Sequence, residues 1–136
     1  MKLSYNIDKL LHNMLPSPDR QPYEEFQQSL EQLLSTAQQP SLDGAALKGA
    51  LQEVQQFFNG RILGVPAEEL DPALASRVQS IQTEIHKQLR LLMTDAMFLA
   101  ASRQPATAQQ RQSQVLERIQ TLMAYAGALL KDGEEG

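Results

Sequence analysis

Residues 78–103, Val-Gln-Ser-Ile-Gln-Thr-Glu-Ile-His-Lys-Gln-Leu-Arg-Leu-Leu-Met-Thr-Asp-Ala-Met-Phe-Leu-Ala-Ala-Ser-Arg, read as a single long helix. At about 100° per residue, Val78, Ile81, Ile85, Leu89, Leu92, Ala96 and Leu99 fall on one face. That stripe is sufficient for a bundle seam. Leu91 and Phe98, a heptad apart, project from nearly the opposite side, with Met97 between the two faces. A helix apolar over most of its circumference is either central to its domain or shared with a partner. This surplus apolar surface, rather than any chemical motif, is where the sequence points for function.

The surrounding pattern sets the number of helices. Residues 17–22, Ser-Pro-Asp-Arg-Gln-Pro, hold capping residues and prolines suited to a first helical turn. Tyr23, Phe26, Leu30, Leu33, Leu34 and Ala37 follow at three- and four-residue spacing, and Gln39-Pro40-Ser41 ends that helix. Ser41 or Asp43 caps the next helix, whose apolar face is Leu47, Ala50, Leu51, Val54, Phe57 and Phe58. Asn59-Gly60 is then a stop signal, because glycine adopts the left-handed cap conformation freely. The connector 61–70 is too apolar for a free linker and is expected to fold back over the bundle end.

Asp71-Pro72 opens the third helix as N-cap and N1 proline, and the helix runs to about Arg103, roughly 45 Å. Gln104-Pro105 ends it, and Thr107 with Gln110 forms a capping-box pattern for the fourth helix. There Val115, Ile119, Leu122, Ala126 and Leu129 face inward, flanked by Leu116, Met123 and Leu130. No run of alternating β-branched residues marks a strand. The expected fold is all-α, an antiparallel four-helix bundle in which helices three and four make a long hairpin. Residues 19–131 form the bundle domain and residues 132–136 a frayed tail.

Residues 1–18 are an N-terminal amphipathic segment, with Leu3, Ile7, Leu10, Leu11 and Met14 on one face. Three readings stand for it: a helix docked on the bundle, a partner- or membrane-surface helix, and a mobile tail. Lys2 and Lys9 against Asp8 fall short of a basic membrane anchor.

Composition narrows the function classes. At 136 residues the chain has the size of one domain. No stretch is long and apolar enough to span a bilayer, and the polar residues Asp8, Lys9 and His12 interrupt any signal-peptide core, so a cytoplasmic protein is expected. With no Cys, disulfides and zinc–thiolate sites are excluded. The net charge of −4 resides in residues 1–70, where nine acids face five bases.

Nucleic-acid binding would rest on Arg77, Lys87, Arg90, Arg103 and Arg111. Their angles scatter and no aromatics interleave with them, so none is expected.

Catalytic, cofactor and metal sites are likewise not expected. Asp8 with His12 gives two potential ligands and no third, and His86 has Arg90 one turn away. Glu84 lies two residues from His86 and points elsewhere on a helix. Neither a nucleophile elbow nor a glycine-rich phosphate cradle occurs. The paired carboxylates Glu24-Glu25, Glu68-Glu69 and Glu134-Glu135 suit helix starts or chain ends.

What remains is a strip on the third helix, Lys87, Leu91, Thr94 and Phe98, flanked by Glu84 and Arg90. It is either core, enclosed by the other helices, or an interface with apolar anchors rimmed by charge. Self-association as a homodimer is the simplest such interface, since a two-fold axis pairs one patch with its own copy. Burying a Leu and a Phe contributes roughly 1.5–3 kcal/mol each, which leaves such a dimer marginal.

The segment 78–92, followed by Asp95, Phe98-Leu99 and Ala101-Ser102-Arg103, resembles the cyanobacterial heterocyst frequency control (PatD) family. Thr107, Arg111, Arg118, Leu122 and Tyr125 fit the same pattern, as does Gln55-Gln56-Phe57-Phe58, so the resemblance covers about residues 23–131. It implies a small helical cytoplasmic protein of cyanobacteria that tunes the proportion of cells becoming heterocysts. It also implies binding to the tubulin-like division protein FtsZ and promotion of its filament assembly. Lys87, Arg90 and Arg103 are then expected to meet acidic filament surface. The alternative is a helical adaptor for a transcription or signalling partner, with the apolar strip as its docking groove.

Overall fold

The computed structural model describes residues 17–40, 42–63 and 70–131. They form four α-helices: α1 (Ser17–Ala37), α2 (Gly44–Phe57), α3 (Pro72–Ala101) and α4 (Pro105–Lys131). A π-helical turn, Phe58–Ile62, continues α2. The expected segment 1–18 lies outside the described residues except for the start of α1, and the tail 132–136 lies outside them entirely.

The helices form an antiparallel ring. Phe26 of α1 packs beside Phe57 and Phe58 at the end of α2, with ring centroids 6.2 and 5.7 Å apart. Gly44 at the start of α2 lies against Ala100 near the end of α3, while the Phe58 ring meets His86 earlier in α3. Helices α3 and α4 fold back at residues 102–104, and α4 closes on α1. In that last contact the Gln27 amide donates to the Met123 carbonyl (3.2 Å), and the Gln112 amide donates to the Ala37 carbonyl (2.7 Å).

The core follows the periodicity closely. Tyr23, Phe26, Leu30, Leu33 and Ala37 of α1 are buried, as are Leu47, Leu51 and Val54 of α2. Val78, Ile85, Leu89, Leu92, Ala96 and Leu99 of α3 meet Val115, Ile119, Leu122, Ala126 and Leu129 of α4. Apolar burial of this kind is the dominant favourable term in folding. No described helix is long and apolar enough to cross a membrane.

Several helix ends depart from expectation, each for a local reason. Pro22 sits inside α1, one turn beyond the first, where a single backbone bond is lost and the ring is buried. Asn59-Gly60 does not stop α2, and no described glycine has positive φ. Instead the chain widens into the π turn, closed by Leu63 N–H donating to the Phe58 carbonyl (3.0 Å). A wider turn rotates less per residue, which keeps Phe58 and Ile62 both in the core.

Pro72 is at N1 as expected, but the Asp71 side chain makes no capping bond. At the second hairpin, Pro105 begins α4 rather than only ending α3, so Thr107 lies within the first turn and the capping-box reading fails. Proline's preset φ suits that first position. Asp43 caps α2 as expected, accepting from Ala45 N–H at 3.0 Å.

Two glycines of α2 give opposite expectations. A Cβ at Gly49 meets nothing within 4 Å, so Gly49→Ala is expected to stabilise by about 0.5–1 kcal/mol through helix propensity. A Cβ at Gly44 lies 2.8 Å from Ala100 Cβ and 2.9 Å from its Cα, so Gly44→Ala must separate α2 from α3 and destabilise. Denaturant unfolding of both variants checks this, and shifts of the same sign would contradict the assigned packing.

Candidate functional site: the outer face of α3 and α4

The expected strip is on the surface. Leu91 is 37% exposed, Met97 58% and Phe98 51%, while Leu92, adjacent to Leu91, is fully buried. Lys87, Arg90 and Thr94 are exposed beside them, and Glu84 is half-buried at the edge. Arg103 is exposed in the connection to α4. The reading of the strip as core therefore fails for Leu91 and Phe98. The bundle uses one face of α3 and leaves the other to solvent.

Helix geometry explains the division. Ile85, Leu89, Leu92, Ala96 and Leu99 cluster at three- and four-residue steps on the inward side. Lys87, Leu91, Thr94 and Phe98 repeat with the same step on the opposite side. Between them, toward α4, lie Gln88 and Asp95.

Asp95 is the buried charged residue of the described chain, 7% exposed. Its Oδ2 accepts from Arg118 Nε at 2.9 Å, and an Arg118 terminal N–H donates to Gln88 Oε1 at 3.2 Å. The guanidinium thus spans Gln88 and Asp95, two positions a heptad apart with Leu91 between them. A carboxylate taken this far out of water requires such a partner.

Folding α4 back along α3 also places Arg111 opposite Phe98. Its guanidinium carbon lies 4.9 Å from the ring centroid, a cation–π contact that covers part of an otherwise exposed phenyl face. By sequence Arg111 is one of several scattered basic residues. The fold places it at the end of the strip, across the hairpin from Phe98. A signal existed: reflecting the chain about residues 102–104 brings α4's first turns opposite Phe98, although the side-chain pairing itself is not periodic information.

A shallow groove of about 390 Å³ runs along Thr83, His86, Lys87, Arg90, Leu91 and Thr94. A second, of about 280 Å³, lies between Phe98, Arg103 and Arg111 at the hairpin end. His86 at the first groove's edge stacks over Phe58, with centroids 6.3 Å apart, and this ring contact accounts for its place. No described group of three His, Cys, Asp or Glu residues is arranged to hold a metal ion. The Asp8–His12 pair lies outside the described residues. The surface that results has apolar knobs with mostly cationic residues beside them.

No protein-family model, curated protein or solved structure matches the chain.

The ion pair yields a stability expectation. Asp95→Ala strands a partly buried guanidinium and is expected to cost about 2–4 kcal/mol. The double variant Asp95→Leu/Arg118→Met removes both charges and is expected to recover most of that loss. Chemical denaturation of Asp95→Leu, Arg118→Met and the double variant measures the coupling. Additive losses would show that the pair is not an energetic unit.

Proposed function

We propose that this protein is a non-catalytic interaction module that binds FtsZ and promotes filament assembly, regulating cell division and heterocyst frequency as resemblance to the PatD family implies. The observation that carries the reading is the exposed pair Leu91 and Phe98, rimmed by Lys87, Arg90, Arg103 and Arg111. Apolar anchors with a polar, mostly cationic rim have the anatomy of a protein-binding patch. Most of the residues that carry the family resemblance, from Val78 to Ala101, lie on the helix bearing this patch.

Electrostatics favours an acidic partner. The chain is net −4, yet Lys87, Arg90 and Arg103 have no acidic partner within salt-bridge distance among the described residues. Cations left free on an acidic protein steer a negatively charged surface to one place. Two copies, or two faces of one copy, then hold neighbouring filaments together.

The test is co-sedimentation. Polymerised FtsZ is expected to carry the wild-type protein into the pellet at low salt and to release it as ionic strength rises. The variant Leu91→Asp/Phe98→Asp is expected to stay in the supernatant while keeping its helical circular dichroism. Wild-type protein that remains soluble beside FtsZ filaments at low salt contradicts the proposal.

A further inference from the structure

We infer that the outer face of α3, with Arg111 of α4 at its end, is a docking groove for one acidic amphipathic helix of a partner protein. This rests on the interaction-module reading above and specifies what occupies the site.

The first argument is spacing. Leu91 and Phe98 stand one heptad apart on α3, about 10.5 Å along its axis, the repeat at which a second helix presents its own apolar residues. The second is what the backbone offers. Both α3 and α4 satisfy their main-chain hydrogen bonds internally and present no sheet edge, so an extended peptide gains no strand pairing here. A third helix laid over an antiparallel pair packs side chain between side chains instead.

Charge supplies the third argument. Lys87, Arg90, Arg103 and Arg111 surround the two knobs, against Glu84 alone on the rim. A guanidinium lying over a phenyl ring still directs N–H groups outward from its edge, so Arg111 holds Phe98 in place while meeting a carboxylate.

A second copy of the chain suits this face poorly. It brings four more cations to the same place.

Fluorescence anisotropy with a stapled two-heptad peptide tests the inference, its leucines a heptad apart and flanked by glutamates. Saturable binding is expected, loosened about tenfold or more by Phe98→Ser and similarly by Arg90→Gln/Arg111→Gln. The same peptide with lysine in place of glutamate is expected not to bind. If Phe98→Ser loses its fold by circular dichroism, Arg90→Gln alone carries the comparison, with weaker binding still expected.

Equal binding of the glutamate and lysine peptides overturns the inference, as does binding indifferent to these substitutions. Preferential binding of single-stranded oligothymidylate overturns it in favour of nucleic acid. A dimer in sedimentation equilibrium that Leu91→Asp/Phe98→Asp dissociates overturns it in favour of a second copy. Peptide binding without FtsZ co-sedimentation supports the groove and removes only FtsZ. FtsZ co-sedimentation without peptide binding removes only the groove.

Discussion

A helix offers its neighbours a whole circumference, and α3 gives its bundle only part of one. Val78, Ile85, Leu89, Leu92, Ala96 and Leu99 are committed to the core. Three shorter or equally narrow partners cannot wrap the rest, because a ring of four helices lets each touch its two neighbours and leaves its outer side free. The outer side of α3 nonetheless keeps Leu91, Met97 and Phe98, residues that water does not favour. Core packing thus explains half of this helix, and the other half requires a different explanation.

The α3–α4 hairpin positions that outer face through side-chain contacts between the two helices. Asp95 and Arg118 set the rotation of the two helices, since the charged pair leaves little freedom to slide without stranding a carboxylate from its partner. Leu91 lies between Gln88 and Asp95, the two residues that Arg118 joins. Arg111, one heptad before Arg118, stacks on Phe98, one heptad after Leu91. Opposed heptads therefore link a structural ion pair to the surface strip. The knobs are presented by locked helices rather than by loops, and a preorganised surface loses less entropy on binding.

Much of this was legible in the sequence wherever periodicity reports burial. The α3 stripe, the α4 stripe and the α1 repeat from Tyr23 to Ala37 all face the core. The second apolar face at 91 and 98 was also visible, but periodicity left open whether other helices enclose it, and only the fold shows it exposed. Helix ends were read less well. Asn59-Gly60 is a strong local stop, yet the burial of Phe58 and Ile62 outweighs it and widens the helix instead. At Thr107 a capping pattern competes with Pro105, and proline's fixed φ starts the helix first. The side-chain pairings that depend on register were not legible from periodicity. Asp95 with Arg118, Phe98 with Arg111 and Gln112 capping the Ala37 carbonyl each join residues whose relation only the folded hairpins define.

Leu91 and Phe98 face solvent in the isolated protein, and the proposed docking depends on that exposure. The chain contains no cysteine, so single cysteines report one site at a time. Thiol modification rates of Leu91→Cys and Phe98→Cys, measured beside the buried control Leu92→Cys in the full-length protein, decide it most directly. Rates near that of a free thiol at 91 and 98, with protection at 92 lifted only when the core opens, are expected. Protection of 91 and 98 comparable to that of 92 would contradict the account, since something within the protein would already cover the strip.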